Sequence, residues 1–304
     1  MAECCQRNKS LFLLCSATTT RHENPPFLKI VYKKNIIRKF SLVKRGDFWY
    51  NGCMKKFLLI FVLFGLGACS YRNPLSDMSF QMTPAPPHVI ANWYKIEEPG
   101  APLKIYIEGD GNAFDRNGLP TDNPTPSGDF VRRLAADDPS PNVAYVGRPC
   151  QYYQGGCDVS DWTTARFSEA NVNSMDMTIK ALMKKAKTNK IILIGFSGGA
   201  QMAGLIAVRH PERIKQIVTV SGVLDQVAWA KYHGDSPLSE SLNLGDKKEV
   251  FQKIPQRHYV GEKDTNVPPE LVLDFAPADT VVIVPGAGHG TGFKKIYPEI
   301  YGVR

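Results

Sequence analysis

No apolar run in the chain is long enough to cross a bilayer. The longest, Phe57–Ala68, has twelve residues, about 18 Å as a helix against a hydrocarbon core of roughly 30 Å. A permanent membrane span is therefore disfavoured. There is also no His-Glu-x-x-His, no Cys-x-x-Cys and no carboxylate-rich loop, so nothing in the sequence asks for a metal. Of the seven cysteines, Cys4, Cys5, Cys15 and Cys53 fall at spacings that suit no zinc site. Gly286-Ala287-Gly288-His289-Gly290-Thr291 has Thr where a dinucleotide loop needs its third glycine, and no cofactor is expected. A basic stripe is missing too, although the net charge is +8. Residues 1–68 hold 12 of the 37 Lys/Arg and 3 of the 29 Asp/Glu, which leaves 25 basic and 26 acidic residues beyond them. That near-neutral body gives nucleic acid no footprint.

What is present begins with a leader. Met54-Lys55-Lys56, the apolar run and the small residues before Cys69 describe a secretory signal. Leu66-Gly67-Ala68-Cys69 resembles the lipobox of bacterial lipoproteins. The resemblance implies cleavage before Cys69 and lipidation of its thiol, hence a protein anchored in the bacterial cell envelope. Ser70 in place of aspartate leans towards the outer membrane, facing the periplasm. Residues 1–53 are basic and without sustained period, and are read as an upstream extension, with translation starting at Met54; the alternative is a genuine cytoplasmic extension. Residues 54–68 are then the signal peptide, 69–87, with Pro74, Pro84, Pro86 and Pro87, a tether, and 88–304 the folded domain.

Within that domain, the run from Lys190 to Ile194 feeds into Gly195-Phe196-Ser197-Gly198-Gly199. A strand, a sharp turn and a helix start in this order push a serine hydroxyl clear of a sheet, and small flanking residues let the backbones pass closely. The alternative is a glycine-rich turn with an incidental serine. Further strands are predicted at His88–Ile96, Leu103–Ile107, Asn142–Gly147, Ile214–Ser221, His258–Gly261 and Thr280–Val284. Helices are predicted at Ser127–Ala136, Ser168–Lys187 and Ser197–Arg209, with a closing one from about Gly292. Alternating strands and helices specify an α/β fold, a mostly parallel sheet covered on both faces. The stretch from Asp225 to Ile254 leaves room for no large cap domain.

A serine needs a base to take its proton and a third group to hold that base. His289 is the best-placed histidine, directly after the last strand, while His210 at the far end of the helix after Ser197 reads as surface. Asp264, after the penultimate strand, and Asp225, after the strand before that, compete for the acid. The order Ser197, Asp264, His289 favours Asp264; both aspartates also suit turn caps.

From about residue 88 to 304 the chain resembles the α/β-hydrolase family, with Gly195–Gly199 as nucleophile elbow, Arg209-His210-Pro211-Glu212 as the common helix end, and Asp264 and His289 as acid and base. The family's His-Gly loop after an early strand corresponds to Glu108-Gly109-Asp110-Gly111, so the backbone N–H groups of Asp110 and Gly198 are implied as the oxyanion hole. Glutamate in place of histidine is a departure from the pattern. The activity implied is serine hydrolysis of a carboxylic ester or related acyl compound, small or lipid-like, through an acyl-enzyme. A peptidase or acyltransferase on the same triad, and a silent binding module on a hydrolase scaffold, remain as alternatives. Finally, once the leader is gone and Cys69 is acylated, Cys150 and Cys157 are the only thiols left, and export makes a disulfide between them the expectation. Gly155-Gly156 is expected to supply the positive φ of the reversal, and Tyr152 and Tyr153 to stand at the cleft mouth.

Overall fold

The computed structural model describes residues 73–236 and 238–302. The upstream extension, the signal peptide and Cys69 lie outside the described residues. Eight strands form one sheet: β1 Ser79–Ala85, β2 His88–Ile96, β3 Leu103–Ile107, β4 Asn142–Val146, β5 Ile191–Phe196, β6 Ile214–Val220, β7 Gln256–Gly261 and β8 Val281–Val284. Their spatial order is β1-β2-β4-β3-β5-β6-β7-β8. The β1/β2 and β2/β4 pairs are antiparallel, and every other pair is parallel.

The apolar alternation of each strand serves two cores. Leu103, Ile105, Ile107, Ala144, Val146, Ile191, Leu193 and Ile217 face one side. There they pack against α2 (Glu169–Lys185) and α3 (Gly198–Arg209) through Val172, Met175, Ile179, Met202 and Ile206. Tyr106, Val143, Tyr145, Ile194, Val218 and Tyr259 face the other side, covered by Val131 and Leu134 of α1 (Phe130–Ala136) and by Phe293 and Ile300 near α7 (Tyr297–Ile300). Side chains of period two on strands and apolar stripes on helices thus close both faces, as a mostly parallel sheet requires. The remaining helices are short: α4 Gln226–His233, α5 Lys248–Phe251 and α6 Pro269–Leu273. No large cap is inserted between β6 and β7, and among the described residues no helix is long and apolar enough to cross a membrane.

The tether expected at 69–87 gives way, from residue 74 on, to structure. Pro74–Asp77 is a helical turn capped by the Asn73 side chain, Leu75 is buried, and β1 follows. Pro84 is tolerated because β1 is an edge strand, where a missing N–H breaks no ladder on the open side. Elsewhere elements shift by a few residues. The helix expected from Ser127 starts at Phe130, and Ser168 is the N-cap of α2, its hydroxyl accepting from the Asn171 N–H.

Candidate active site

Ser197 sits between β5 and α3 with φ 52° and ψ −125°, a backbone conformation that a side chain other than glycine's adopts only under constraint. Its neighbours supply the constraint. A Cβ on Gly195 would lie 2.5 Å from the Ala200 Cα, and one on Gly199 would lie 2.5 Å from the carbonyl oxygens of Ile107 and Glu108. Only glycines let the elbow fold back on its own helix and pass the end of β3 this closely.

The Ser197 hydroxyl lies 3.0 Å from His289 Nε2. On the far side of the ring, Nδ1–H donates to Asp264, 3.1 Å from Oδ1 and 3.0 Å from Oδ2. Asp264 is itself fixed, because its Oδ1 accepts the N–H groups of Asn266 and Val267, each at 2.9 Å. Burial acts to raise the Asp264 carboxyl, but the hydrogen bonds from His289 and from the Val267 amide outweigh it and hold it below the usual range. It therefore stays ionised and fixes the tautomer that leaves Nε2 free to accept from the serine. The loops after β7 and β8 are sewn together by Lys263 N–H to Ala287 O and by Gly286 N–H to the Glu262 carboxylate, at 2.8 Å each.

Asp225, the rival acid, caps α4. Its Oδ1 accepts from the N–H groups of Val227 and Ala228, at 3.0 Å each, and from Asn243 Nδ2 at 2.9 Å. A carboxylate committed in this way orders a helix start and leaves His289 to Asp264.

Opposite the elbow, the loop after β3 brings Gly109 and Asp110 up to Ser197 and Gly198. A Cβ on Gly109 would stand 3.2 Å from the Ser197 Cβ, and one on Gly198 would overlap the Asp110 carboxylate. Glu108, the departure from a His-Gly loop, points inward. Its Oε2 accepts from the Tyr145 hydroxyl at 2.6 Å and its Oε1 from the Gly109 N–H at 3.1 Å. Burial raises the Glu108 carboxyl, against the pull of the Tyr145 hydrogen bond. The Gly109 amide is thereby spent on Glu108, and it is the Asp110 side chain that lies against Gly198. The Gly198 N–H is in the first turn of α3, where no intrahelical acceptor exists.

Two buried arginines complete this wall, and neither was singled out by the sequence. Arg148, after β4, and Arg166, before α2, both donate to the Asp110 carboxylate, Arg166 Nη1 lying 2.8 Å from Oδ2. They come from irregular stretches 18 residues apart, where charge without periodicity reads as solvated surface. No local signal marks them.

The Cys150–Cys157 disulfide is present, with Cα atoms 5.9 Å apart. Its loop departs from expectation in two respects. Gly156 does take a positive φ, but the other two positive values belong to Cys150 and Tyr152. Tyr152 turns away from the cleft mouth and packs against Trp93 and Tyr145, its hydroxyl 2.7 Å from that of Tyr145, while Tyr153 stays exposed. The residue that reaches the site is the buried Gln151, whose Nε2 donates to Gly109 O at 2.8 Å and whose Oε1 accepts the Arg148 N–H at 2.9 Å. Side-chain ligand atoms of His88, Cys150, Cys157 and Asp161 lie within 4.8 Å of one another. With both sulfurs bonded to each other, the cluster offers no thiolate and is not a metal centre in this form.

Comparison with known proteins agrees with this architecture. Residues 158–236 match the family model described as Phospholipase/Carboxylesterase. Among solved structures, the chain is similar to Est1E from Butyrivibrio proteoclasticus, with 13% identity, coverage of 73% of this chain and 95% of that one, and a TM-score of 0.53. It is also similar to the acylaminoacyl peptidase of Pyrococcus horikoshii, with 13% identity, coverage of 79% and 42%, and a TM-score of 0.51. A comparison with curated protein sequences found no match. At these identities the structural likeness is one of fold. The chain thus has the α/β-hydrolase fold, with the family match lying inside it.

Proposed function

We propose that the chain is a serine hydrolase of carboxylic esters or related acyl compounds, working through an acyl-enzyme. The observation that carries this reading is the continuous hydrogen-bond line Ser197–His289–Asp264. Ser197 Oγ attacks the acyl carbonyl as His289 Nε2 takes its proton, and Asp264 holds the imidazole and balances the imidazolium. The tetrahedral oxyanion is held by the backbone N–H groups of Asp110 and Gly198. His289 returns the proton to the leaving alcohol, and a water molecule, deprotonated in its turn by His289, releases the acid and restores Ser197. No cofactor enters these steps. The description of the family matched over residues 158–236 supports an ester as substrate over a peptide.

Fluorophosphonate labelling of the purified protein, followed by peptide mapping and by ester and peptide panels, tests this. Labelling of Ser197 with turnover of esters is expected. Absence of both, or label at another residue, overturns it.

The leader supports a second part of the proposal, that Cys69 carries a diacylglycerol and a further amide-linked acyl chain and anchors the enzyme in the cell envelope at the outer membrane. One acyl chain holds a protein to a bilayer only marginally, and several retain it stably. Mass spectrometry of the mature amino terminus should find a lipidated Cys69, and Cys69→Ser should block processing. An unlipidated terminus lying before residue 54 would refute the anchor.

A further inference from the structure

Asp110 presents a difficulty for the reading above, and its surroundings resolve it. The carboxylate lies against the Cα of Gly198, beside the amide proposed to receive an oxyanion. An isolated negative charge there would repel the charge that develops in the transition state. Arg148 and Arg166 grip the two carboxylate oxygens separately, Nη1 of Arg148 on Oδ1 and Nη1 of Arg166 on Oδ2. Both side chains are almost fully buried, whereas that of Asp110 is 30% exposed. Arg148 Nη2 donates to the Arg166 carbonyl at 2.9 Å, which ties the two segments to each other. The Phe167 ring lies near both guanidinium groups, 4.6 Å from that of Arg148 and 5.8 Å from that of Arg166. Arg166 Nε is buried without an acceptor among the described residues, so Asp110 does not saturate the pair. Two cations thus grip the single Asp110 carboxylate, so the charge of Asp110 itself is more than balanced.

We infer that Arg148 and Arg166 are positioning residues of the oxyanion hole: they clamp the Asp110 side chain so that its N–H faces the nucleophile, and they turn the charge of that loop from repulsive to attractive for the oxyanion. Charge prearranged where charge develops lowers the barrier and leaves ground-state binding nearly untouched. Burial acts to raise the Asp110 carboxyl, but the Arg166 and Arg148 charges outweigh it and hold it below the usual range, with a smaller contribution from His289. The same cluster is thus electrostatically coupled to the base, whose own carboxylate partner is Asp264.

The inference rests on the serine-hydrolase reading, and its test separates the two. The full-length protein is assayed with p-nitrophenyl butyrate and with a fluorophosphonate. If the wild type shows neither turnover nor label, the hydrolase reading fails and this inference falls with it. With an active wild type, Arg166→Gln should lower kcat by about 10- to 100-fold, up to the loss typical of one oxyanion donor, with KM changed less than about 3-fold. Arg166→Lys, which keeps the charge but not the fork, should recover a large part of that loss. An unchanged kcat in Arg166→Gln, a loss carried by KM alone, or a lysine variant no better than glutamine overturns the inference. Should Arg166→Gln lose its folded circular-dichroism spectrum, the apolar Arg166→Met, of similar length, decides: the same loss of kcat at a little-changed KM is expected, and an unchanged kcat overturns the inference.

Discussion

His289 meets Asp264 through both carboxylate oxygens, at 3.1 and 3.0 Å, while Asp225 spends its carboxylate on the start of α4. Asp264→Asn should therefore lower kcat by roughly 10²- to 10⁴-fold with little loss of stability, because an amide oxygen still accepts the Asn266 and Val267 amides. Asp225→Asn should keep its turnover and cost a few tenths to about 1 kcal/mol at most, since asparagine also caps helices. Steady-state kinetics and urea midpoints on the two variants check both. Ser197→Ala should be inactive yet fold normally.

The disulfide acts on the site through Gln151. Cys150→Ser with Cys157→Ser should lower stability by about 2–3 kcal/mol, the loop-entropy value for a bridge this short. It should also lower kcat, because Gln151 then holds the Gly109 carbonyl less firmly. Gln151→Ala with the bridge intact should reproduce the kinetic loss without the full loss of stability. Equal kcat in all three proteins would separate the bridge from catalysis.

His258 on β7 is buried and neutral. It bonds to Thr219 Oγ1 on β6 through Nδ1 and to Gln256 Oε1 through Nε2, both at 2.8 Å. Gln256 Nε2 donates to the carbonyls of Phe251 and Ile254, so Oε1 is left to accept from the ring and Nδ1 to accept from Thr219. Burial, with the Arg257 charge adding to it, pushes the imidazole down to about 3. Between pH 6.5 and 3 the unfolded chain binds this proton and the folded chain does not, so stability is full above about 6.5 and falls as pH drops. The whole window is worth on the order of 5 kcal/mol. Urea midpoints measured between pH 7 and 4.5 should show this slope, and it should flatten in His258→Gln.

Lys104, the second residue of β3, is a buried cation. Its Nζ lies 3.2 Å from Asp138 Oδ2 and also donates to the Tyr301 carbonyl, while the Tyr106 hydroxyl donates to the same Asp138 oxygen at 2.6 Å. Asp138→Ala should cost about 3–5 kcal/mol by stranding an ammonium and a hydroxyl. Lys104→Met with Asp138→Ala should recover part of it, as thermal melting would show.

Much of the parallel sheet was legible because β5 is a continuous apolar run and β3 and β4 are mostly apolar, each set between turn residues. The elbow was legible because an apolar strand runs directly into Gly-x-Ser-x-Gly, although only Gly195 is required by local contacts and Gly198 and Gly199 by the loop and strand end at 107–110. That Asp264 and His289 meet Ser197 was legible by order alone, since each follows a strand in the sequence a parallel sheet imposes. β1 was not: it is a partly exposed edge strand held by pairing with β2, and Pro84 with the prolines that follow it speaks for a tether. Nor were Arg148, Arg166 and Gln151, whose roles arise from loops that meet only after the sheet has formed. Local pattern carries no trace of such a meeting, and the same holds for Tyr152, which the aromatic pair Trp93 and Tyr145 draws inward.

β8 is a four-residue edge strand, half-exposed and bonded on one side only, to β7, and His289 hangs from the loop behind it. Fraying at this border detaches the imidazole while the central strands are still paired, because edge segments open at lower free energy than the core. Heat inactivation should thus run ahead of global melting, so that the rim of the sheet and not its centre sets the temperature at which turnover is lost.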